Sequence, residues 1–384
     1  MRVLFLTTPV PTHFSTLVTT AWAFRQAGHE VVVAGQPDIA ATAHAAGLPT
    51  VTIGDWNDAV FALGALLPPG KRLIDTKGRP DRDDLVAGTR VWVVHAKYLL
   101  PQYLEFARAY RPDLIVADMV EYTSLIVGGV LGVPVVQQRW GTDRMSSAAL
   151  DSAREALGPL CRRLGLDGLP DPAVMLDPTP PELQAPESPG TPIRYVTFNG
   201  SGTAPAWLWA PKPAARRVVV TLGSHTMRLN GVPHVRRILE AFDGLPDTEA
   251  LATVEEKYRA EIGPVPANVR MVDPVPLGLV LGSCDAVVHH GGVGTALTAT
   301  AAGLPQLVLP QLLDMFTVGD LLAQAGAGLT LDTAETQDDV PGVRKALGAL
   351  LDDPGYAAAA DRLAGSMAAM PSPARVVADL EQLV

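Results

Sequence analysis

The chain has 384 residues, more than the roughly 250 to 300 at which a single hydrophobic core stops growing, so we expect two domains. Apolar residues make up 48% and charged residues 18%, which is typical of a globular protein rather than a disordered or fibrous one. The net charge of -10, with no run of Lys and Arg longer than two, argues against a nucleic-acid-binding surface.

The start of the chain predicts a βαβ unit. Residues 2–8 are an apolar run, residues 14–27 have helical spacing and end at Gly28, and residues 29–35 are apolar again. The first apolar run meets two prolines, so it is too short for a secretion signal or for a membrane span of about 20 residues. We expect a cytoplasmic protein without membrane contact, and two cysteines are too few for a disulfide framework.

The alternation of strands and helices continues through the first half. We predict strands at 50–53, 113–117 and 134–137 and helices at 37–46 and 96–110. Two segments interrupt the pattern and are predicted as loops, 55–89, which we expect to be mobile, and the Pro-rich 165–192.

A second alternating series follows a Gly/Pro/Ala run, which we interpret as an interdomain linker. Its predicted strands are 217–222, 249–254, 269–272, 285–289, 306–309 and 329–331, and its predicted helices include 234–242, 277–283 and 317–325. The sequence thus predicts two doubly wound, Rossmann-like α/β halves facing across a cleft. The expected division is 1–200, a linker at 201–212, 213–365, and a C-terminal helix in 366–384 that packs back on the first half.

Ligands of doubly wound sheets bind beyond the carboxyl ends of the strands, so the loops after the strands are informative. The loop after the first strand, TTPVPTHF, contains no glycine and cannot be a dinucleotide-binding turn. It places His13 at the start of a helix. That imidazole could act as a general base if a carboxylate held its other nitrogen, although a loop histidine without chemistry is an open alternative.

The loop HHGGVGT, residues 289–295, predicts an anion site. It joins the strand DAVVH to an Ala-rich helix, so free N–H groups and the helix dipole could hold a diphosphate without nearby Lys or Arg. Thr295 could add a hydroxyl group. The spacing is neither GxGxxG nor a P-loop, and a packing turn is the alternative.

No motif predicts a metal. His289 and His290 would point to opposite faces of a strand, and Asp81 and Asp83 lie in a polar stretch rather than after an apolar strand. The chain has no GxSxG elbow, which argues against a hydrolase.

Several segments together resemble the GT-B fold glycosyltransferases, specifically the actinomycete enzymes that transfer deoxysugars from dTDP donors to polyketide acceptors. The segments that carry the resemblance cover most of the chain: MRVLFLTTPVPTHFSTLVTTAWAFRQAGHEV, RPDLIVADMV, RYVTFNG, VVVTLGS, residues 269–332 around HHGGVGT, and the tail PSPARVVADLEQLV. The resemblance implies inverting transfer to a hydroxyl of an apolar aglycone, with the dTDP-sugar as co-substrate and without cofactor or metal.

The resemblance also implies roles for particular residues. His13 matches the base that deprotonates the acceptor, and Asp118 matches the carboxylate that orients it. The positions that match the donor site are Ser224, Val275, His289, Gly292, Val293, Gly294, Thr295 and Asp314. Two positions depart from the family: Met315 suggests a less hydroxylated sugar, and Pro274 replaces an aromatic residue beside the nucleobase.

The acceptor side is less determined by sequence. Trp92, Tyr98, Tyr122 and Trp140 could line an apolar pocket or be ordinary core or surface residues. Relatives that form carbon–carbon glycosides can use an acid soon after a tryptophan, so Asp143 keeps a C-glycosyltransferase open. An inactive sugar-nucleotide-binding helper and a sugar-nucleotide epimerase are further alternatives, and the sequence leaves open whether the chain forms a homodimer.

Overall fold

The computed structural model describes all 384 residues of the chain except the side chain of Ser224. It contains two parallel sheets, one in each half, with helices connecting successive strands. The two predicted α/β halves are therefore confirmed.

The first sheet has seven strands in the order β3-β2-β1-β4-β5-β6-β7. These strands are β1 (Arg2–Leu6), β2 (Glu30–Gly35), β3 (Thr50–Thr52), β4 (Leu114–Asp118), β5 (Val135–Gln138), β6 (Val174–Asp177) and β7 (Thr191–Pro192). The helices of this half are α1 (Pro11–Gln26), α2 (Ala40–Ala45), α3 (Ala59–Ala65), α4 (Leu73–Lys77), α5 (Arg82–Gly88), α6 (Arg90–Tyr110), α7 (Tyr122–Leu131) and α8 (Ser146–Arg163).

The second sheet has six strands in the order β10-β9-β8-β11-β12-β13. These are β8 (Arg216–Thr221), β9 (Thr248–Thr253), β10 (Val269–Val272), β11 (Ala286–His289), β12 (Gln306–Val308) and β13 (Gly328–Thr330). Its helices are α9 (Gly223–Thr226), α10 (Val232–Glu240), α11 (Glu256–Ile262), α12 (Leu277–Val280), α13 (Val293–Ala301), α14 (Met315–Gln324), α15 (Ala334–Asp338), α16 (Val340–Asp352), α17 (Pro354–Ala369) and α18 (Pro373–Leu380).

The central strands are buried on both faces because helices cover the sheet on both sides. Along β1, Val3 and Phe5 belong to the apolar cluster under α1, whereas Leu4 and Leu6 belong to the cluster under α6 and α7. This alternation explains why the strands read as unbroken apolar runs. All eleven predicted strands are confirmed, with ends displaced by two residues or fewer.

The prediction of a loop at 55–89 is wrong, because this segment contains the three short helices α3, α4 and α5. Local caps begin two of them: Asp58 accepts the N–H of Phe61, and Asp81 accepts the N–H of Asp84. Tertiary contacts hold the segment against the second half, since Arg79 pairs with Asp320 at 2.8 Å. Helices of five to seven residues are too short to show an apolar period.

The prediction of a loop at 165–192 misses two edge strands, β6 and β7. They are four and two residues long, and the prolines around them obscured any strand pattern.

The C-terminal helix α18 packs against α1 of the first half. Val376, Val377 and Leu380 join the apolar cluster that contains Phe14 and Leu17. His29 and Glu381 also meet, with Nε2 and Oε1 2.7 Å apart. These contacts join the end of the chain to α1 and to the residue before β2 of the first half.

The carboxyl ends of the two sheets face each other across a narrow cleft. Gly141, in the loop after β5, touches α13: a Cβ built there would lie 2.6 Å from Cγ1 of Val293. The missing side chain allows this approach of the two halves. Among the helices that the structure describes, none combines the length and the apolarity needed to cross a membrane.

Candidate active site

His13 and Asp118 reach the same place because β1 and β4 are neighbours. In the parallel register Leu6 lies opposite Ala117, so the residues that follow both strands emerge together at the cleft. Asp118 is the last residue of β4, and His13 lies in the first turn of α1.

The carboxylate of Asp118 is fully buried and fully hydrogen-bonded. Its Oδ2 accepts the backbone N–H of Thr8 at 2.7 Å, the hydroxyl of Thr8 at 2.9 Å and the hydroxyl of Thr7 at 3.0 Å. Its Oδ1 accepts the N–H of Val120 at 3.0 Å. Four donors thus hold one carboxylate in a fixed orientation.

The contact between His13 and Asp118 runs through Thr8 and not directly between the two side chains. The Thr8 hydroxyl oxygen lies 2.7 Å from Nδ1 of His13 while it donates to Asp118. An ionised carboxylate can only accept, so the single hydroxyl proton of Thr8 is donated to Asp118. The hydrogen bond between Thr8 and His13 must then be donated by Nδ1–H of His13 to the hydroxyl oxygen of Thr8. The network therefore leaves the lone pair on Nε2.

Two tryptophans pack around the imidazole of His13. Trp140 stacks on its face, with ring centroids 3.5 Å apart, and Trp92 meets it edge-on at 6.0 Å. Burial, followed by the nearby His225, lowers the pKa of His13 to about 3. The ring is consequently neutral near pH 7, which a general base requires.

The surroundings of Asp118 raise its proton affinity. Burial, followed by the charge of Glu121, raises the pKa of Asp118 to about 6, against the opposing effect of its hydrogen bonds. Glu121 is also fully buried, and burial raises its pKa to about 7. Asp118 is ionised above about pH 6, where the network described above holds.

On the other side of the cleft, the loop 289–295 follows β11 and leads into α13. Gly291 has φ +88°, and a Cβ there would lie 2.7 Å from the carbonyl oxygen of Met315, so this position requires glycine. Gly292 is the N-cap of α13, which places Val293, Gly294 and Thr295 in the first turn with N–H groups that have no partner within the helix. The side chain of Val293 packs against the first half, so only its backbone can serve an anion.

His289 is not available to a ligand in this structure, contrary to its predicted place in the donor site. Its ring is fully buried, Nε2 lies 2.8 Å from Oε1 of Gln306, and Nδ1 accepts the N–H of Gly291 at 3.1 Å. Both nitrogens are used to hold the loop in shape.

The next residue, His290, borders the cleft and was missed by the sequence reasoning. Its ring fills the space beside Gly223 and Gly292, where a Cβ would lie 2.8 Å and 2.7 Å from it. Burial, followed by His225, lowers the pKa of His290 to about 4. Strand β11 ends at His289, so only His290 lies beyond the strand. This strand end is the feature from which the different positions of the two histidines could have been predicted.

The other predicted donor residues lie around the same end of the second sheet. Asp314 is the N-cap of α14 and makes no hydrogen bond to any side chain that the structure describes. Burial, followed by Asp143, raises its pKa to about 6. Val275 is half-buried in the cluster with Trp207, and the side chain of Ser224 lies outside the described part of the chain.

The residues predicted for the acceptor side separate into two groups. Trp92 and Trp140 contact His13 as described above. Tyr98 is 69% exposed on the surface of α6, and Tyr122 is fully buried in the core of the first half. The rings that pack on His13 are those of Trp92 and Trp140.

The carboxylate of Asp143 forms a buried ion pair and binds the start of a helix, which the sequence did not predict. Its Oδ2 accepts Nε of Arg139 at 2.8 Å, and its Oδ1 accepts the N–H groups of Met145 and Ser146 at the start of α8. Both oxygens of this carboxylate are thus held by the protein, one by a buried guanidinium and one by the start of a helix. This geometry argues against Asp143 as the base of a C-glycosyltransferase.

Among the side chains that the structure describes, no group of three or more His, Cys, Asp or Glu is arranged to hold a metal ion. The N-terminus of α13 is the positive end of a helix dipole.

The two sheets and the cleft between them define a GT-B glycosyltransferase. Solved structures share this architecture: the spinosyn rhamnosyltransferase SpnG complexed with thymidine diphosphate has a TM-score of 0.88 and 40% sequence identity, covering 99% of this chain and 100% of that one. The same enzyme complexed with spinosyn aglycone gives the same values.

The chain belongs to the Erythromycin biosynthesis protein CIII-like family, whose N-terminal domain matches residues 22–223 and whose C-terminal domain matches residues 236–383. Among curated relatives, the 10-deoxymethynolide desosaminyltransferase of Streptomyces venezuelae is 34% identical over 100% of this chain and 97% of its own length. The aclacinomycin-T 2-deoxy-L-fucose transferase of Streptomyces galilaeus is 33% identical over 100% and 96%. The protein is therefore a glycosyltransferase.

Proposed function

We propose that the protein transfers a deoxyhexose from a dTDP-sugar to a hydroxyl group of a polyketide aglycone, with inversion at the anomeric carbon. The observation that carries the proposal is a neutral imidazole with a free Nε2, fixed on the first half, opposite a helix N-terminus on the second. The names of the relatives, which describe deoxysugar transfer to such aglycones, support the choice of substrates. The resemblance of SpnG in complex with thymidine diphosphate supports the nucleotide.

In this mechanism His13 removes the proton from the acceptor hydroxyl through Nε2. The oxygen attacks the anomeric carbon from the face opposite the diphosphate, which leaves with the electron pair of the broken C–O bond. The first turn of α13 stabilises the charge that develops on the diphosphate. One displacement with attack opposite to the leaving group inverts the configuration.

The two halves divide the substrates between them. We assign the aglycone to residues 1–200, where Trp92 and Trp140 supply an apolar surface beside His13, and the nucleotide-sugar to residues 213–365. Asp314, which has no described side-chain partner, would meet sugar hydroxyls. The side chain of the next residue, Met315, suits a sugar that lacks a hydroxyl at the facing carbon.

The proposal is tested by incubating the enzyme with dTDP-deoxysugars and with macrolide or aromatic polyketide aglycones and measuring products by mass spectrometry. We expect an aglycone that has gained one deoxyhexose, with release of dTDP. An isomerised donor without any glycosylated acceptor would contradict the proposal and indicate an epimerase.

Substituting Gly294 by alanine should raise the Kd for dTDP by about tenfold. A Cβ at this position meets no protein atom within 4 Å, so the fold accommodates it, but the methyl group would stand in the first turn of α13, where phosphate oxygens are expected. Displacing one charge-assisted hydrogen bond has an effect of that size. Isothermal titration calorimetry measures it, with Gly348→Ala in α16, where a Cβ also meets open space, as the control. Unchanged affinity in both variants would place the diphosphate elsewhere.

Chelation should leave turnover unchanged. The helix N-terminus provides the positive potential that a Mg²⁺ ion provides in metal-dependent transferases, so the proposed mechanism contains no step that needs a metal. The measurement is the transfer rate before and after dialysis against EDTA. A large loss that Mg²⁺ restores would contradict this part of the proposal.

A further inference from the structure

The hydroxyl group of Thr8 occupies the space between the two groups that form the proposed catalytic pair. It lies 2.7 Å from Nδ1 of His13 and 2.9 Å from Oδ2 of Asp118. We propose that Thr8 is a positioning residue through which Asp118 sets the tautomer and orientation of His13. This inference rests on the proposed function, because it presumes that His13 is the base.

The polarity of the bridge follows from its donors and acceptors. Oδ2 of the ionised Asp118 can only accept, so the single hydroxyl proton of Thr8 points to the carboxylate. The oxygen of Thr8 then accepts Nδ1–H of His13, and Nε2 is left as the only basic nitrogen. The backbone N–H of Thr8 binds the same carboxylate oxygen at 2.7 Å, which fixes the residue itself.

The bridge also acts when the proton arrives. As the acceptor O–H bond breaks and an N–H bond forms at Nε2, the imidazole becomes a cation. The new charge lies one hydrogen bond from the hydroxyl oxygen of Thr8 and two from the carboxylate of Asp118, which remains ionised. The imidazolium is stabilised through Thr8 without any further proton transfer.

Thr7 provides a matched comparison. Its hydroxyl also donates to Oδ2 of Asp118, at 3.0 Å, and it is equally buried, but it makes no bond to His13. Removing either hydroxyl takes one hydrogen bond from the carboxylate. Only the removal of the Thr8 hydroxyl breaks the connection to the imidazole.

The test compares Thr8→Val, Thr8→Ser and Thr7→Val in the full-length enzyme. We expect Thr8→Val to lower kcat by about 10- to 100-fold, because the imidazole loses its fixed tautomer, whereas the Kd for dTDP stays unchanged. Thr8→Ser, which keeps the hydroxyl, should recover most of the rate. Thr7→Val should cause a clearly smaller loss, and circular dichroism and thermal melting establish that each variant is folded.

The pH profile supplies a readout that a merely structural role would not change. Below about pH 6 Asp118 gains a proton, and its carboxyl group can donate a hydrogen bond to the hydroxyl oxygen of Thr8. The Thr8 hydroxyl then donates to Nδ1 of His13. In this tautomer Nε2 carries the proton of the neutral imidazole and is no longer a base. Transfer should therefore decline as the pH falls through about 6 in the native enzyme. Thr8→Val should lose this dependence. The titratable groups around Asp118 and His13 are left unaltered by the substitution: Glu121, His95, Tyr103, Tyr122 and His225.

The double variant Thr8→Val with Asp118→Asn should be no slower than the slower single variant, since both remove the same interaction. If Thr8→Val keeps the native rate and pH profile while His13→Ala is slow, the bridge has no role and the proposed function stands. If His13→Ala is also as fast as the native enzyme, the base itself is misassigned. Either result overturns the inference about Thr8, and the two outcomes are distinct.

Discussion

Replacing His13 by alanine should lower turnover by about 10² to 10⁴, the usual effect of removing a positioned general base. The acceptor hydroxyl would then have to lose its proton to water, while Trp140, which stacks on the ring at 3.5 Å, would remain in place. The Kd for dTDP should change little because the loop at 289–295, to which we assign the diphosphate, lies on the other half. Steady-state kinetics and calorimetry with dTDP measure the two quantities separately.

The control for this variant is His44→Ala, which removes an exposed imidazole on α2, away from the cleft. Asp118→Asn should act in the same direction as His13→Ala but more weakly, since it disturbs the imidazole without removing it. The two substitutions should be non-additive. A near-native rate for His13→Ala, together with inactivity of Asp143→Asn, would make Asp143 the base, and an acid-stable carbon–carbon glycoside would then be the expected product.

Replacing Arg139 by methionine should destabilise the first half by about 3 to 5 kcal/mol, the usual result of removing one partner of a buried ion pair. The Arg139 side chain is 2% exposed and binds Asp143 through Nε at 2.8 Å and Asp177 through Nη1 at 3.0 Å. Its Nη2 also donates to the carbonyl of Pro189 at 3.1 Å. Without the guanidinium, the two buried carboxylates of Asp143 and Asp177 would be left with no opposing charge.

Urea unfolding followed by tryptophan fluorescence measures this effect, because four of the six tryptophans precede residue 200. Arg154→Met is the matched control: Arg154 pairs with Asp151 and Asp171, but its side chain is 40% exposed. Exposed pairs of this kind contribute about 0 to 1 kcal/mol. Equal losses of unfolding free energy in the two variants would contradict the stabilising role of the buried ion pairs that Arg139 forms with Asp143 and Asp177.

The amino-acid sequence by itself determined the strands, the two halves and the glycine-containing loop at 289–295. A buried parallel strand is an unbroken apolar run, and each of these runs, such as residues 217–222, can be recognised without knowing its neighbours. The loop at 289–295 is equally local, since a strand, glycines and a helix start lie within a few residues. The roles of His13 and Asp118 came from the family resemblance, and their places at the ends of two first-half strands made a shared site reasonable, because the carboxyl ends of parallel strands meet at one edge of the sheet.

The tertiary structure decided how those residues are connected. The resemblance implied that Asp118 orients His13, but the side chain that bridges them is Thr8, whose position depends on how α1 leaves the sheet. Similarly, the choice between His289 and His290 depends on where β11 ends and on Gln306 from the next strand. The pattern of apolar and polar residues along a chain shows which face of a helix or strand is buried. Hydrogen-bond partners come from other elements, so only the packing of those elements identifies them.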